Sequence, residues 1–339
     1  MTMTRRCAAA AVFLLLVGGA AAACSGGPTA STGAAVLPDG GQPELEAGQP
    51  DARPTNGPPD AEVFGPLCNG RPWLCDRTYD RVTYLTTHGA VTNDDPAWQG
   101  GRTQHRTLRE QLDRGVRAVM LEAHAGSPVA ACLGSCARGS APLATSLAAI
   151  KAFLDVNPRE IVTLLLDDVD APVADVVSAI GAAGLDTLAY EHAAGSPWPT
   201  LGAMITSGKR LVVLARDLRG DADAGAPPSW YHGLLEQARE TNRTSATVQD
   251  LLRCDLTLGD AGARPLTLVH EYLVVSGDSG NAPAPESAAT QVNALSTLTS
   301  TRSRCREQGA DVTFLAVDFF ETGDARNFVT AIDDADAGP

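Results

Sequence analysis

From about residue 82 onward, short β-branched or apolar runs alternate with amphipathic stretches, and this rhythm constrains the fold more than any other feature. It is the pattern of βα units laid side by side in a mainly parallel sheet. The runs at 82–87, 117–123, 161–166, 210–215, 266–269 and 313–317 read as strands. The stretches at 107–114, 143–156, 173–182, 200–207, 287–305 and 324–332 carry helical spacing. With two weaker stretches, 185–190 and 251–256, the strands suffice to close an eight-stranded barrel. An open doubly wound sheet is the alternative. However, no Gly-x-Gly-x-x-Gly follows the first strand, so that fold would lack its nucleotide-binding fingerprint.

Ahead of this rhythm the chain reads as an export signal. Arg5 and Arg6 supply a positive start, residues 8–17 an apolar core, and residues 18–23 small side chains that a signal peptidase accepts. Ala21-Ala22-Ala23-Cys24 resembles a bacterial lipobox, which makes residues 1–24 a lipoprotein signal with Cys24 as the lipidated residue. The ordinary alternative is a cleaved signal with an incidental cysteine. Residues 25–62 are rich in Gly, Pro, Ala and Asp, hold no aromatic side chain and cannot bury a core, so they read as a disordered tether. One domain, 63–335, follows. Its expected setting is the periplasmic face or cell surface, or the secreted fraction if Cys24 is not lipidated.

Of eight cysteines, Cys7 and Cys24 belong to the leader, leaving Cys68, Cys75, Cys132, Cys136, Cys254 and Cys305. An even set in an oxidising compartment reads as disulfides. Proximity in sequence suggests Cys68–Cys75, Cys132–Cys136 and Cys254–Cys305, among the fifteen pairings that six cysteines allow. No Cys/His spacing suits zinc. A formal net charge of −14 argues against nucleic acid as a partner and for solubility in an extracytoplasmic space, and a monomer is the expected state.

In a βα barrel the working residues lie at the carboxyl ends of the strands. Here those ends are loaded: His88 after 82–87, Glu122 and His124 at the end of 117–123, Asp167 and Asp168 after 161–166, His270 and Glu271 after 266–269, and Asp318 after 313–317. Three of only six histidines fall at such positions, which points to hydrolytic or proton-transfer chemistry.

At these residues the chain resembles the phosphatidylinositol-specific phospholipase C X-domain superfamily of phosphodiesterases, in its secreted bacterial and fungal branch. The likeness runs from Cys68 to about Ile332. It rests on Tyr84-Leu-Thr-Thr-His88, on Gln104 with Gln111-Leu-Asp-Arg-Gly115, and on Asn157-Pro-Arg-Glu160. Trp198-Pro-Thr-Leu-Gly202, Gly208-Lys-Arg210 and Val317-Asp318-Phe-Phe-Glu321 complete it, in this order and spacing. The resemblance implies a distorted (β/α)8 barrel, with His88 as general base and Asp318 orienting it. The family's second histidine, the general acid, falls on Leu133 within Ala131-Cys132-Leu133-Gly134, and leucine cannot donate a proton.

His124 and His270 are the candidate replacements. His124 lies two residues beyond Glu122 and so on the same strand face. Calcium-dependent relatives imply an ion held by an Asn beside the first histidine and by acidic strand ends. Here Gly89 and Met120 occupy two of those places, leaving Glu122 and Asp167 as a weak calcium site. Calcium-free relatives use an arginine against the phosphate, and Arg117 is on the corresponding strand, with Glu122 as a further substrate contact. Strand alternation nevertheless sends Arg117 to the opposite face from Glu122.

The resulting expectation is a phosphoric diester hydrolase or lyase acting on a phospholipid headgroup such as a phosphoinositide, with the membrane phospholipid as partner. One alternative is an impaired barrel that binds a phosphorylated or glycan ligand at the cell surface. Another is glycerophosphodiester phosphodiesterase-like chemistry.

Overall fold

The computed structural model describes residues 66–216, 226–258, 265–277 and 280–335. These belong to one compact unit, Glu62–Pro339. The leader, the tether and Cys24 lie outside the described residues.

Eight parallel strands form the centre: β1 (Tyr84–Thr87), β2 (Ala118–His124), β3 (Val162–Val169), β4 (Leu211–Ala215), β5 (Tyr231–Gly233), β6 (Ala238–Thr241), β7 (Leu266–Glu271) and β8 (Phe314–Val317). Their hydrogen-bonded order is β5-β4-β3-β2-β1-β8-β7-β6. The ends of this path, β5 and β6, are consecutive in sequence and are joined by the one-turn helix Leu234–Gln237, with no ladder between them. The barrel is therefore curled but open along one seam.

The six expected strands are present. The two weaker stretches are not the missing ones. Residues 185–190 hold a 3-10 turn, Asp186–Leu188, and 251–256 leads into Leu256–Leu258, which pairs antiparallel with β6. The barrel instead takes β5 and β6, whose short, partly polar sequences Tyr-His-Gly and Ala-Arg-Glu-Thr give no apolar run to read. The helical stretch 287–305 is likewise two helices, Glu286–Val292 and Leu295–Glu307. Asn293 breaks it, because its amide donates to the carbonyls of Asp318 and Thr322 and so ties the helix pair to the end of β8.

Period-two alternation sorts the side chains into two cores. Tyr84, Ala118, Met120, Leu165, Val212, Leu214, Leu268, Phe314 and Ala316 fill the barrel interior. Leu85, Val119, Leu164, Val213, Leu315 and Val317 point outward against helix residues such as Leu147, Ile150 and Val176. Each large aliphatic side chain buried this way stabilises the fold by about 1.5–3 kcal/mol. Continuing the inward alternation by one residue at each carboxyl end brings a ring of polar groups to one mouth.

All three suggested disulfides are formed, Cys68–Cys75, Cys132–Cys136 and Cys254–Cys305. Among the described residues, no helix is long and apolar enough to cross a membrane.

Candidate active site

His88 is the next inward position after Tyr84 and Thr86 on β1, and Asp318 the next after Phe314 and Ala316 on β8. The two strands pair in register, so the side chains meet: His88 Nδ1 lies 2.8 Å from the Asp318 carboxylate. Gln104 fixes the turn behind them, donating to the carbonyls of both His88 and Val317. The Tyr272 ring lies flat on the imidazole, 3.7 Å between centroids and 3° from parallel. With Nδ1 engaged and one face covered, Nε2 is the nitrogen left for chemistry. Burial works against the imidazolium, but the charge and hydrogen bond of Asp318 outweigh it and raise the His88 pKa above 6.5.

His88 opens onto a cavity of about 460 Å³ whose walls include Glu122, Leu133, Arg138, Asp167, Asn242, Arg243 and Tyr272. Arginines stand at and behind the cavity wall. Arg216, one step beyond β4, donates to Asp167 at 2.7 Å and to Glu240 on β6 at 2.6 Å. Arg243 donates to the other Asp167 oxygen at 2.7 Å. Although burial opposes their charge, Arg216 and Arg243 hold Asp167 well below the carboxylate range, and Arg216 with His270 holds Glu240 near 2.

His270 sits behind this wall, fully buried. Its Nε2 lies 2.9 Å from Glu240 and its Nδ1 3.0 Å from the Tyr272 hydroxyl. Burial lowers its pKa, so the ring is neutral at neutral pH. The carboxylate then takes Nε2–H, and Nδ1 accepts from the tyrosine hydroxyl. His270 thus steadies Tyr272, which in turn covers His88. It is outside the cavity lining and cannot meet a substrate directly.

His124 is also outside that lining. Its Nε2 lies 3.2 Å from Glu122 and its Nδ1 3.1 Å from Asp170, and these two carboxylates outweigh partial burial to raise its pKa to about 9. It is a rim cation with both nitrogens engaged. Arg117 is not brought to the mouth at all. At the amino end of β2 it donates to Glu160 at 2.6 Å and to the carbonyls of Leu112 and Val116, as its odd place in the alternation requires.

The acidic pair does not fit a calcium ion. Both Asp167 oxygens accept from guanidiniums, and Glu122 Oε2 accepts from the Gly134 amide and His124. A hard cation needs six to eight free oxygen donors. Nor could an Asn stand beside His88: Gly89 has φ +53°, and a β-carbon there would lie 2.8 Å from both Leu133 Cδ2 and Thr103 Oγ1. Leu133 fills that corner as apolar wall.

Sequence reading missed Arg216, Glu240, Arg243, Tyr272 and Arg138. Arg216 was legible in principle as the next inward position after Val212 and Leu214. Glu240 and Arg243 were hidden with the unread strand β6, and Arg138 lies on a loop whose direction no periodicity encodes.

The PI-PLC X family model (PI-PLC X 1) matches residues 74–333. A PI-PLC X domain-containing protein of Arthroderma benhamiae is 32% identical over 212 residues, covering 59% of this chain and 65% of that protein. An uncharacterised secreted protein of the same fungus is 29% identical over 156 residues, 43% of this chain and 34% of its own. The chain thus spans less than two thirds of the length of either relative. Among solved structures, a variant of the phosphatidylinositol-specific phospholipase C of Staphylococcus aureus superposes with a TM-score of 0.53. It is 15% identical and covers 78% of this chain and 96% of that one, a likeness of fold alone.

Proposed function

This chain belongs to the PI-PLC X family, and on that premise we propose that it is a phosphodiesterase which cleaves a phospholipid headgroup at the barrel mouth. The observation that carries the reading is the His88–Asp318 pair, with one imidazole nitrogen open to a cavity walled by arginine. In this reading His88 Nε2 takes the proton of an internal hydroxyl of the headgroup, and the freed oxygen attacks phosphorus. Asp318 accepts Nδ1–H and stabilises the imidazolium that forms. Arg243, anchored by Asp167, faces the phosphate and supplies the positive charge that a metal supplies elsewhere. His270 and Tyr272 hold the base in plane.

The disulfides support an extracellular setting. Lipidation at Cys24 would hold the domain beside its lipid substrate as a membrane-anchored monomer.

A second reading, a barrel that binds a phosphorylated ligand without turning it over, is favoured by Leu133 in the cavity wall. Both are tested by incubating the mature chain with vesicles of phosphatidylinositol, with lysophospholipids and with glycerophosphodiesters, following products by phosphorus NMR. Release that needs no calcium and disappears in His88→Ala supports the enzyme. Binding with no release from any of the three leaves the binder.

A further inference from the structure

Among the described residues, the cavity lining contains one cation that no carboxylate claims. Arg243 is tied to Asp167, but Arg138, on the same cavity lining, has no side-chain hydrogen bond or ion pair among the described residues. A half-buried guanidinium left without a partner on a cavity wall is placed to take an anion, whose charge offsets the desolvation that ligand entry imposes.

The placement of Arg138 is tightly built. It ends the 3-10 turn Cys136–Arg138, locked to β2's antiparallel partner Ala130–Cys132 by the Cys132–Cys136 disulfide. Its amide donates to the Ser135 carbonyl at 3.1 Å, and its carbonyl accepts from the Gln99 amide at 2.8 Å. Gly139 follows with φ +135°, and a β-carbon there would lie 2.5 Å from the Ala97 carbonyl, so only glycine lets the loop pack. The guanidinium itself lies over two more glycines. A β-carbon at Gly134 would stand 3.2 Å from Nη2, and one at Gly101 3.3 Å from Nη1. Gly134 directly follows Leu133, so the free cation hangs beside the position from which a proton donor is missing.

We propose that Arg138, on the same cavity lining as Arg243, binds the phosphodiester and stabilises its leaving oxygen as an anion, in place of a general acid. This rests on the phosphodiesterase reading and extends it to the leaving-group side. His88 Nε2 takes the proton of the attacking hydroxyl as its oxygen bonds to phosphorus. The P–O bond to the leaving group breaks, and the leaving oxygen keeps the electron pair against the guanidinium. Solvent water protonates it, and the hydroxide formed recovers the proton from His88. Because no proton is transferred as the bond breaks, substrates with more acidic leaving alcohols are favoured, and no second titrating group shapes the pH profile.

The deciding experiment reads phosphate binding apart from turnover. Inorganic phosphate is titrated into the wild-type chain, Arg138→Gln, Arg138→Lys and the distant charge control Arg304→Gln, by calorimetry. The expected result is about a tenfold weaker affinity for Arg138→Gln, a smaller loss for Arg138→Lys and none for Arg304→Gln. Equal affinity in Arg138→Gln and wild type, or no binding to wild type, overturns the proposal whether or not the protein is an enzyme. If turnover is found, aryl and alkyl esters of inositol 1-phosphate give the second readout. The wild type should favour the aryl ester strongly and show one acid limb, and Leu133→His should narrow that preference and add a basic limb. A bell-shaped wild-type profile that Arg138→Gln leaves intact would also overturn the assignment. Failure of every diester to react, with phosphate binding retained, removes the catalytic role and the phosphodiesterase reading together and leaves Arg138 as a binding residue.

Discussion

At the amino ends of the strands, Arg117 donates to Glu160 and to two carbonyls, and Arg210 donates to the carbonyls of Leu154 and Asn157. At the carboxyl ends, His88, Arg138 and Arg243 face an open cavity. The same residue types close one end of the barrel and equip the other. What separates them is where the guanidinium points: Arg117 and Arg210 donate to acceptors of the fold itself, whereas Arg138 has no side-chain partner among the described residues and lines the cavity. The loops that follow the strands converge at the carboxyl end, so that end can be reshaped without disturbing the sheet, while residues at the amino end serve mainly stability.

The largest effect should come from breaking the mouth. His88→Ala is expected to lower kcat/KM for the best phosphodiester by about 100- to 10,000-fold while the chain remains folded by circular dichroism, with some loss of thermal stability because Asp318 loses its partner. Comparable residual turnover would remove His88 as the base.

Arg117→Met, at the amino end, should cost stability and spare activity. It strands Glu160 in a pair only 14–15% exposed and should cost about 2 kcal/mol in urea unfolding, discounted for that exposure, while kcat/KM holds. A large loss of activity without loss of stability would return Arg117 to the site.

The acid limb of kcat/KM is a finer probe. Asp318 raises the His88 pKa, so activity should fall as pH drops through a midpoint above 6.5. Asp318→Asn removes the raising charge and leaves burial, so the midpoint should move down even as the maximal rate falls. A limb unmoved by this change would assign it to another group.

The smallest effect concerns Glu271, which points outward from β7 toward Thr301 on the helix Leu295–Glu307. Burial pushes its pKa up to about 8 from an ordinary 4.5. The folded state therefore holds a proton that the unfolded state has released, and stability declines as pH rises between those values. Glu271→Gln should flatten that decline in a series of melting temperatures, and an unchanged slope would show that Glu271 titrates normally.

How much of this was legible can be judged from particular residues. His88, Glu122, Asp167, His270 and Asp318 each end an apolar run long enough to announce a strand, and the likeness to a known family drew on the same segments. Glu240 lies in, and Arg243 just after, a four-residue strand, Ala-Arg-Glu-Thr, that carries no apolar alternation. It is a strand because β7 pairs with it, and pairing is not local. His124 and His270 had equal claims as replacement acids. Only their partners, two carboxylates for His124 and Glu240 with Tyr272 for His270, removed both from the cavity lining.

Short-range chemistry, then, already specified the barrel class, the six cysteines' pairing preference and the gathering of His88, Asp167, His270 and Asp318 at strand ends, while the roles expected of His88 and Asp318 came from the family resemblance. The features so specified depend on periods of two and 3.6 and on residues close in sequence or at strand ends. Tertiary structure alone decided which cations face the cavity, that Asp167 anchors arginines, and that Arg138 has no side-chain partner among the described residues. Those outcomes depend on distances between side chains far apart in the chain, set by strand register and loop packing, which no local pattern records.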